Sequence, residues 1–169
     1  MLKESKNLPP RQGNARIAIV ASTYNTEYVD GMLNAALATL TDAGVGKVEL
    51  VHVPGAFEIP VVTAKLARRK RRRPEAIICL GVILRGETTH ADNVSETVSC
   101  LLGQIAVETS VPVIHEVLLL ENKTQAKARC TSKKTNRGVE AAHSALAMAR
   151  LIDGVSCSPD SPQHSIHTL

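Results

Sequence analysis

At 169 residues with 44% hydrophobic side chains, the chain has apolar material for one ordinary domain and its core. One Phe, two Tyr and no Trp make that core aliphatic, so each aromatic position is informative. The net charge of +4 does not mark a basic protein: residues 68–73 carry six positive charges, and taking six from four leaves −2 for the rest.

In chain order, residues 1–15 are polar and Pro-containing and are expected to be mobile unless a partner orders them. RIAIVAS (16–22) reads as a first strand, followed by a helical stripe of Val29, Leu33, Ala36 and Leu40 that Gly44 ends. VELVHV (48–53) is a second strand. Ile59, Val62 and Leu66 form a second stripe that runs into the arginine-rich segment and stops at Pro74. AIICLGVIL (76–84) is a third strand, and Val94, Val98, Leu101 and Ile105 mark a third helix before Pro112. VPVIHEVLLL (111–120) is a fourth strand. A short helix over 123–130, with Asn122 and Gln125 as its capping pair, and a longer one over 137–152 complete the order. Residues 153–169 are Ser/Pro/His-rich and read as a tail.

All four strand runs are apolar rather than alternating, as in a parallel sheet covered on both faces. The order β-α-β-α-β-α-β-α-α therefore predicts one α/β domain over 16–152, a three-layer sandwich around a four-stranded parallel sheet. The cysteines Cys79, Cys100, Cys130 and Cys157 have no zinc-ligand spacing. Cys79 and Cys100 sit in apolar periodic stretches and are expected as buried thiols in a reducing cytosol. No signal-peptide-like stretch or membrane-length apolar run occurs, so a soluble cytoplasmic protein is expected.

Ligands of such sheets bind outside the carboxyl ends of the strands. The four strand exits carry Tyr24, then Ala56-Phe57-Glu58, then the stretch from Gly86 to His90, then Glu121-Asn122-Lys123. Gly86 to His90 is either a phosphate nest near a helix start or a polar turn capped by Asp92. His90 is either a general acid/base or a solvated loop histidine, and nothing at ligand spacing supports a metal. Tyr24 and Phe57 could stack on a planar heterocycle or pack at the core rim, and Glu58 could bind a ligand or favour a helix start. The run 68–73 reads as a solvated helix end rather than a nucleic-acid site, because no aromatics are interleaved with it. His52, His115 and His143 fall inside elements and default to structural roles.

VPGAFEIP (53–60), GVILRGETTH (81–90), PV (112–113), QAKAR (125–129) and NRGVEAA (136–142) resemble the lumazine synthase family in order and spacing, from residue 16 to residue 152. The resemblance implies a flavodoxin-like fold. It also implies condensation of 5-amino-6-(D-ribitylamino)uracil with 3,4-dihydroxy-2-butanone 4-phosphate, the penultimate step of riboflavin biosynthesis, without metal or cofactor. By position it implies that Tyr24 stacks on the pyrimidine and that Ala56, Phe57 and Glu58 hold the ring and ribityl chain. It likewise implies that Val82, Ile83 and Leu84 line the pocket, that Glu87 and Thr88 contact phosphate, and that His90 transfers protons. Arg129 matches the phosphate-gripping arginine, Arg137 stands where lysine is usual, and both would reach the site from a neighbouring subunit.

A homopentamer follows from the resemblance, with twelve pentamers in a shell left open by the short 129–138 segment, and with the N-terminal residues adding to a neighbour's sheet. No nucleic acid or membrane partner is implied. The chain departs from the pattern where His115-Glu116 replace Phe-Gly; that Phe contacts the pyrimidine, a role His115 would take by stacking or hydrogen bonding. It departs again at Ala91 and Asn93, where aromatics are common, and at Tyr24 for Phe or Trp. The 115–116 change motivates an alternative, a flavin- or lumazine-binding or shell-forming homologue with weak or lost catalysis.

Overall fold

The inner strands are the ones that the apolar runs describe best. In the computed structural model, which describes residues 15–156, β1 (Ile17–Ser22) is buried throughout and β3 (Ala76–Leu84) is buried over its first seven residues. Helix α1 (Thr26–Asp42) follows β1, and β2 (Val48–Val53) leads through a short 3-10 turn, Ala56–Glu58, into α2 (Ile59–Ala67). Beyond β3 come α3 (His90–Thr109), β4 (Val113–Leu120), α4 (Lys123–Cys130) and α5 (Arg137–Ser156). The expectations placed on residues 1–14 and 157–169, Cys157 included, lie outside the described residues.

The sheet is parallel, in the order β2-β1-β3-β4. Alternation along each strand divides the core in two. Ile17, Ile19, Ile78 and Leu80 meet Val29, Met32 and Leu40 of α1 and Ala142 and Ala145 of α5. Ala18, Val20, Ile77 and Cys79 meet Ile59 and Leu66 of α2 and Val98 and Leu102 of α3. Each fully buried aliphatic side chain contributes about 1.5–3 kcal/mol of transfer free energy. Tyr28 is the one aromatic ring inside this core.

Several boundaries differ from the sequence reading. The edge strands β2 and β4 are only partly covered, with Leu50 and His52 exposed, because helices shield the inner strands first. On α3 the buried stripe uses Leu102, and Leu101 faces out. Helix α2 stops at Ala67, so residues 68–73 form a loop rather than a helix end. Arg68 pairs with Glu108 at 2.8 Å, Arg69 with Glu49 at 2.7 Å, and Arg73 donates to the Thr109 carbonyl. Three of the six cations thus brace the loop against α3 and β2. Helix α5 continues to Ser156, four residues past its expected end at 152 and into the expected tail.

Local signals explain the turns. Gly44 adopts φ 81°, its N–H donates to Thr41 O at 2.9 Å, and Val45 N–H donates to Leu40 O at 3.0 Å, a Schellman end to α1. Gly138 brings α5 so close to α1 that a Cβ there would strike the Met32 backbone. Gly31 does the same against Cys130 O, at 2.6 Å.

Candidate active site

Because β1 leads to β2 on one side and β3 lies on the other, the chain reverses direction across the sheet between β1 and β3. The crevice at that point is where such sheets bind ligands. Hydrogen bonds stitch its rim together. Thr23 N–H donates to Val53 O at 2.8 Å, and Thr23 Oγ1 donates to Pro54 O at 3.3 Å, tying the β1 and β2 exits. Asn25 takes the left-handed conformation, φ 57°, which asparagine tolerates better than most residues, and its Nδ2 donates to Val82 O at 2.8 Å. On the far side Arg85 N–H donates to Leu120 O at 2.9 Å.

On this rim stand the two aromatic rings left out of the core, Tyr24 at 70% exposure and Phe57 at 58%. Ala56 and Glu58 share the 3-10 turn with Phe57. Glu58 folds back toward its start, so that a Cβ on Gly55 would lie 3.0 Å from Glu58 Oε2. β1 pairing ends at Ala21 opposite Leu80, so Val82, Ile83 and Leu84 project beyond it while still pairing with β4. On the β1 side the Val82 carbonyl accepts from Asn25 instead of from a strand.

Between Arg85 and His90 no residue has a left-handed φ, so the stretch forms no alternating nest. Instead the chain turns directly into α3, whose first-turn N–H groups face the rim. Thr89, not Asp92, is the N-cap, and it makes no side-chain cap bond. Asp92 sits one turn in and pairs with Arg85 at 2.8 Å; Arg85 also pairs with Glu121 at 3.0 Å. Those two carboxylates raise the Arg85 pKa further. Arg85 therefore clamps the β3 exit between α3 and the β4 exit. Glu87, Thr88 and His90 are exposed beside it, with His90 as the first helical residue.

The remaining candidates lie elsewhere. His115 pairs across the ladder with Cys79, five residues before Leu84, which puts it about 16 Å down the sheet from the rim. Its Nε2 lies 2.8 Å from Ser99 Oγ, whose hydroxyl donates to Ser95 O, and its Nδ1 accepts from Val117 N–H at 3.4 Å. Both ring nitrogens are thus occupied within the chain, which leaves the flat ring for contact. Burial lowers the His115 pKa and favours the neutral ring that this pattern requires.

On the other face of β4, Glu116 accepts from Arg137 Nε at 3.0 Å and Nη2 at 3.1 Å, and Arg137 also pairs with Glu140. Burial pushes the Glu116 carboxyl up while Arg137 pulls it back; the bidentate geometry is that of an ionised pair. Burial alone would lower the Arg137 pKa, and the bonds to Glu116 and Glu140 more than reverse it. Arg129 is exposed on the last turn of α4.

Asn136 fixes this edge. Its Nδ2 donates to Gly31 O at 3.1 Å and Cys130 O at 2.6 Å, and its Oδ1 caps α5 by accepting from Gly138 N–H at 2.8 Å. Asn122 Oδ1 accepts from Gln125 N–H at 3.0 Å, so the expected cap of α4 is present. The returning bond from Gln125 goes to Glu121 N–H.

The thirteen candidate residues therefore divide into a strand-exit group and a β4-edge group. Sequence reasoning gave no role to Asn25, Arg85 or Asn136, although Arg85 lies in the GVILRGETTH block and Asn136 in the NRGVEAA block. A groove of about 510 Å³ also opens beside Phe57 and Glu58, between α2 and α3, lined by Val61, Ala64, Leu101 and Ile105. Burial pushes the Cys79 thiol up to about 12 and the Cys130 thiol to about 11, so neither is a nucleophile near neutral pH. Cys100 is exposed, contrary to expectation. Among the described residues no three His, Cys, Asp or Glu side chains group to hold a metal, and no helix is long and apolar enough to cross a membrane.

Comparison with known proteins shows the family. A 6,7-dimethyl-8-ribityllumazine synthase of Coxiella burnetii is 36% identical over 88% of this chain and 99% of its own length. Proteins of the same description from Kineococcus radiotolerans and Desulfotalea psychrophila are 39% and 38% identical, over 85% and 83% of this chain and 89% and 90% of theirs. A sigma-54 interaction domain protein from Enterococcus faecalis overlays on 88% of this chain and 99% of its own at a TM-score of 0.32 and 10% identity, too remote to carry an argument. Residues 14–153 match the family described as 6,7-dimethyl-8-ribityllumazine synthase, and this chain belongs to it.

Proposed function

We propose that this chain condenses 5-amino-6-(D-ribitylamino)uracil with 3,4-dihydroxy-2-butanone 4-phosphate, giving 6,7-dimethyl-8-ribityllumazine, phosphate and water. The observation that carries the reading is the placement of VPGAFEIP and GVILRGETTH, the two most specific family blocks, at the exits of β2 and β3, on either side of β1 around the β1/β3 crevice.

The chemistry asks for a flat surface to orient the ring, an anion clamp for the leaving phosphate, and a group that moves protons near neutral pH. Tyr24 and Phe57 offer the surface, with Ala56 and Glu58 beside the ribityl chain. The overhanging peptides of Val82, Ile83 and Leu84 line the wall. Glu87 and Thr88 contact phosphate through the backbone, since the Glu87 carboxylate has the wrong sign; the start of α3 adds its dipole. His90, at that same helix start, is the acid/base.

His115, Arg129 and Arg137 complete the site from a second subunit, because within one chain the ladder holds His115 far below the rim. Arg129 grips the phosphate, the pyrimidine meets the face of His115, and Arg137 lies beside it. The assembly is a homopentamer. Twelve pentamers forming a shell suits the short 129–138 connection. The enzyme acts in the cytoplasm and takes neither metal nor cofactor.

Mixing purified protein with both substrates and following the lumazine chromophore tests this directly. Acceleration over the spontaneous condensation supports it; a rate equal to the spontaneous one rejects it in favour of a binding or shell-forming homologue. Light scattering on the same sample separates pentamer from shell.

A further inference from the structure

Glu116 is a carboxylate in the wall of an aliphatic core. Its side chain is 6% exposed and lies on the β4 face shared with Ile114 and Leu118. A lone charge there is strongly disfavoured, and one partnered by a guanidinium is tolerated. Its oxygens take Arg137 Nε and Nη2 side-on, and Glu140 takes Nη1. Arg129 bears on the same carboxylate through its charge. Two acids thus face two arginines, and the cluster sums to zero. Asn136 caps the helix that carries Arg137 and ties it to Gly31 and Cys130, so the guanidinium is fixed at both ends.

Resting on the reaction proposed above, we propose that Glu116 is a positioning residue: it fixes the guanidinium of Arg137 and cancels its charge, so that Arg137 serves the neutral pyrimidine substrate through directed N–H groups and the anionic substrate is left to Arg129. An unpaired Arg137 would be a second cation on a long, mobile side chain. It would attract phosphate and aim poorly at a neutral ring.

Glu116→Gln keeps the shape and removes the charge. It is expected to raise KM for the pyrimidine about five- to tenfold while inorganic phosphate inhibits about threefold more tightly than in the wild type. Glu116→Asp keeps the charge and is expected to leave phosphate inhibition at the wild-type value. A purely structural role would lower the melting temperature without moving the two affinities in opposite directions. Both affinities changing in the same direction, or neither changing, would overturn the proposal.

If Glu116→Gln does not fold, Arg137→Lys retains the charge and loses the planar fork. It should raise the pyrimidine KM and leave phosphate inhibition unchanged; an unchanged pyrimidine KM overturns the proposal. A wild type without turnover overturns the reaction assignment and this inference with it. A wild type with turnover, whose variants shift both affinities together, overturns this inference alone.

Discussion

At the strand-exit rim, Tyr24, Phe57 and His90 stand in solvent at chain exits tied together by hydrogen bonds to backbone carbonyls. At the β4 edge, His115 and Arg137 are half-buried, and side-chain contacts with Ser99, Glu116 and Glu140 hold them. Bonds to backbone carbonyls and the Arg85 clamp hold the rim without using its aromatic rings, so it tolerates exchange of one exposed ring for another. The edge is built from charges and side-chain bonds, so a change at one residue is felt at its partners. A site assembled from both would separate binding of the flat heterocycle from control of charge.

Breaking the edge should cost most. Arg129→Ala is expected to lower kcat/KM on the order of a thousandfold, chiefly through KM for the phosphate substrate, read by steady-state kinetics. On the rim, His90→Ala should slow kcat by about a hundredfold with smaller changes in KM, because a proton shuttle is lost while positioning is kept. Wild-type rates in both variants would sink the assignment of these roles. The division between chains is sharpened by refolding the two variants together. Mixed oligomers should recover a substantial fraction of activity if the halves come from different subunits, and none if each chain holds its own site.

Asn136→Ala removes three hydrogen bonds that join α1, α4 and α5. It should cost about 2 kcal/mol and lower the melting temperature by roughly 4–8 °C, checked by calorimetry. An unchanged melting temperature would show that the edge is held by its ion pairs alone.

The smallest effect concerns His115, whose pKa burial lowers. The unfolded chain takes up a proton near the ordinary value of about 6.5 that the folded chain refuses. Stability from this group is therefore full above about 6.5 and lost as pH falls through that value toward the folded pKa. Melting curves from pH 8 to pH 5 should show the slope, and His115→Gln should reduce it.

Much of the fold was legible because its signals are local. Unbroken apolar runs gave β1 and β3, Gly44 gave the end of α1, and Asn122 gave the cap of α4. Leu101 and Leu102 are both apolar, and only packing against the sheet decides which turns inward. The arginine run left the helix because Glu49, Glu108 and the Thr109 carbonyl, 20 to 40 residues away, hold it as a loop. The rim residues were legible from motif blocks placed at strand exits. His115, Arg129 and Arg137 were legible too, but the contacts that hold the edge were not: Glu116 meets Arg137 across 21 residues and Asn136 meets Gly31 across 105, separations to which periodicity is blind.

A chain with two tyrosines and no tryptophan is optically quiet. Tyr28 is sealed in the core, so the emission that a ligand can reach comes from Tyr24 on the rim. A fused heterocycle absorbs at longer wavelengths than any phenol, so both its arrival and its formation can be followed with almost no protein background. Quenching of one residue would report occupancy of the crevice, in the same cuvette and on the same unmodified chain in which the product's colour reports turnover.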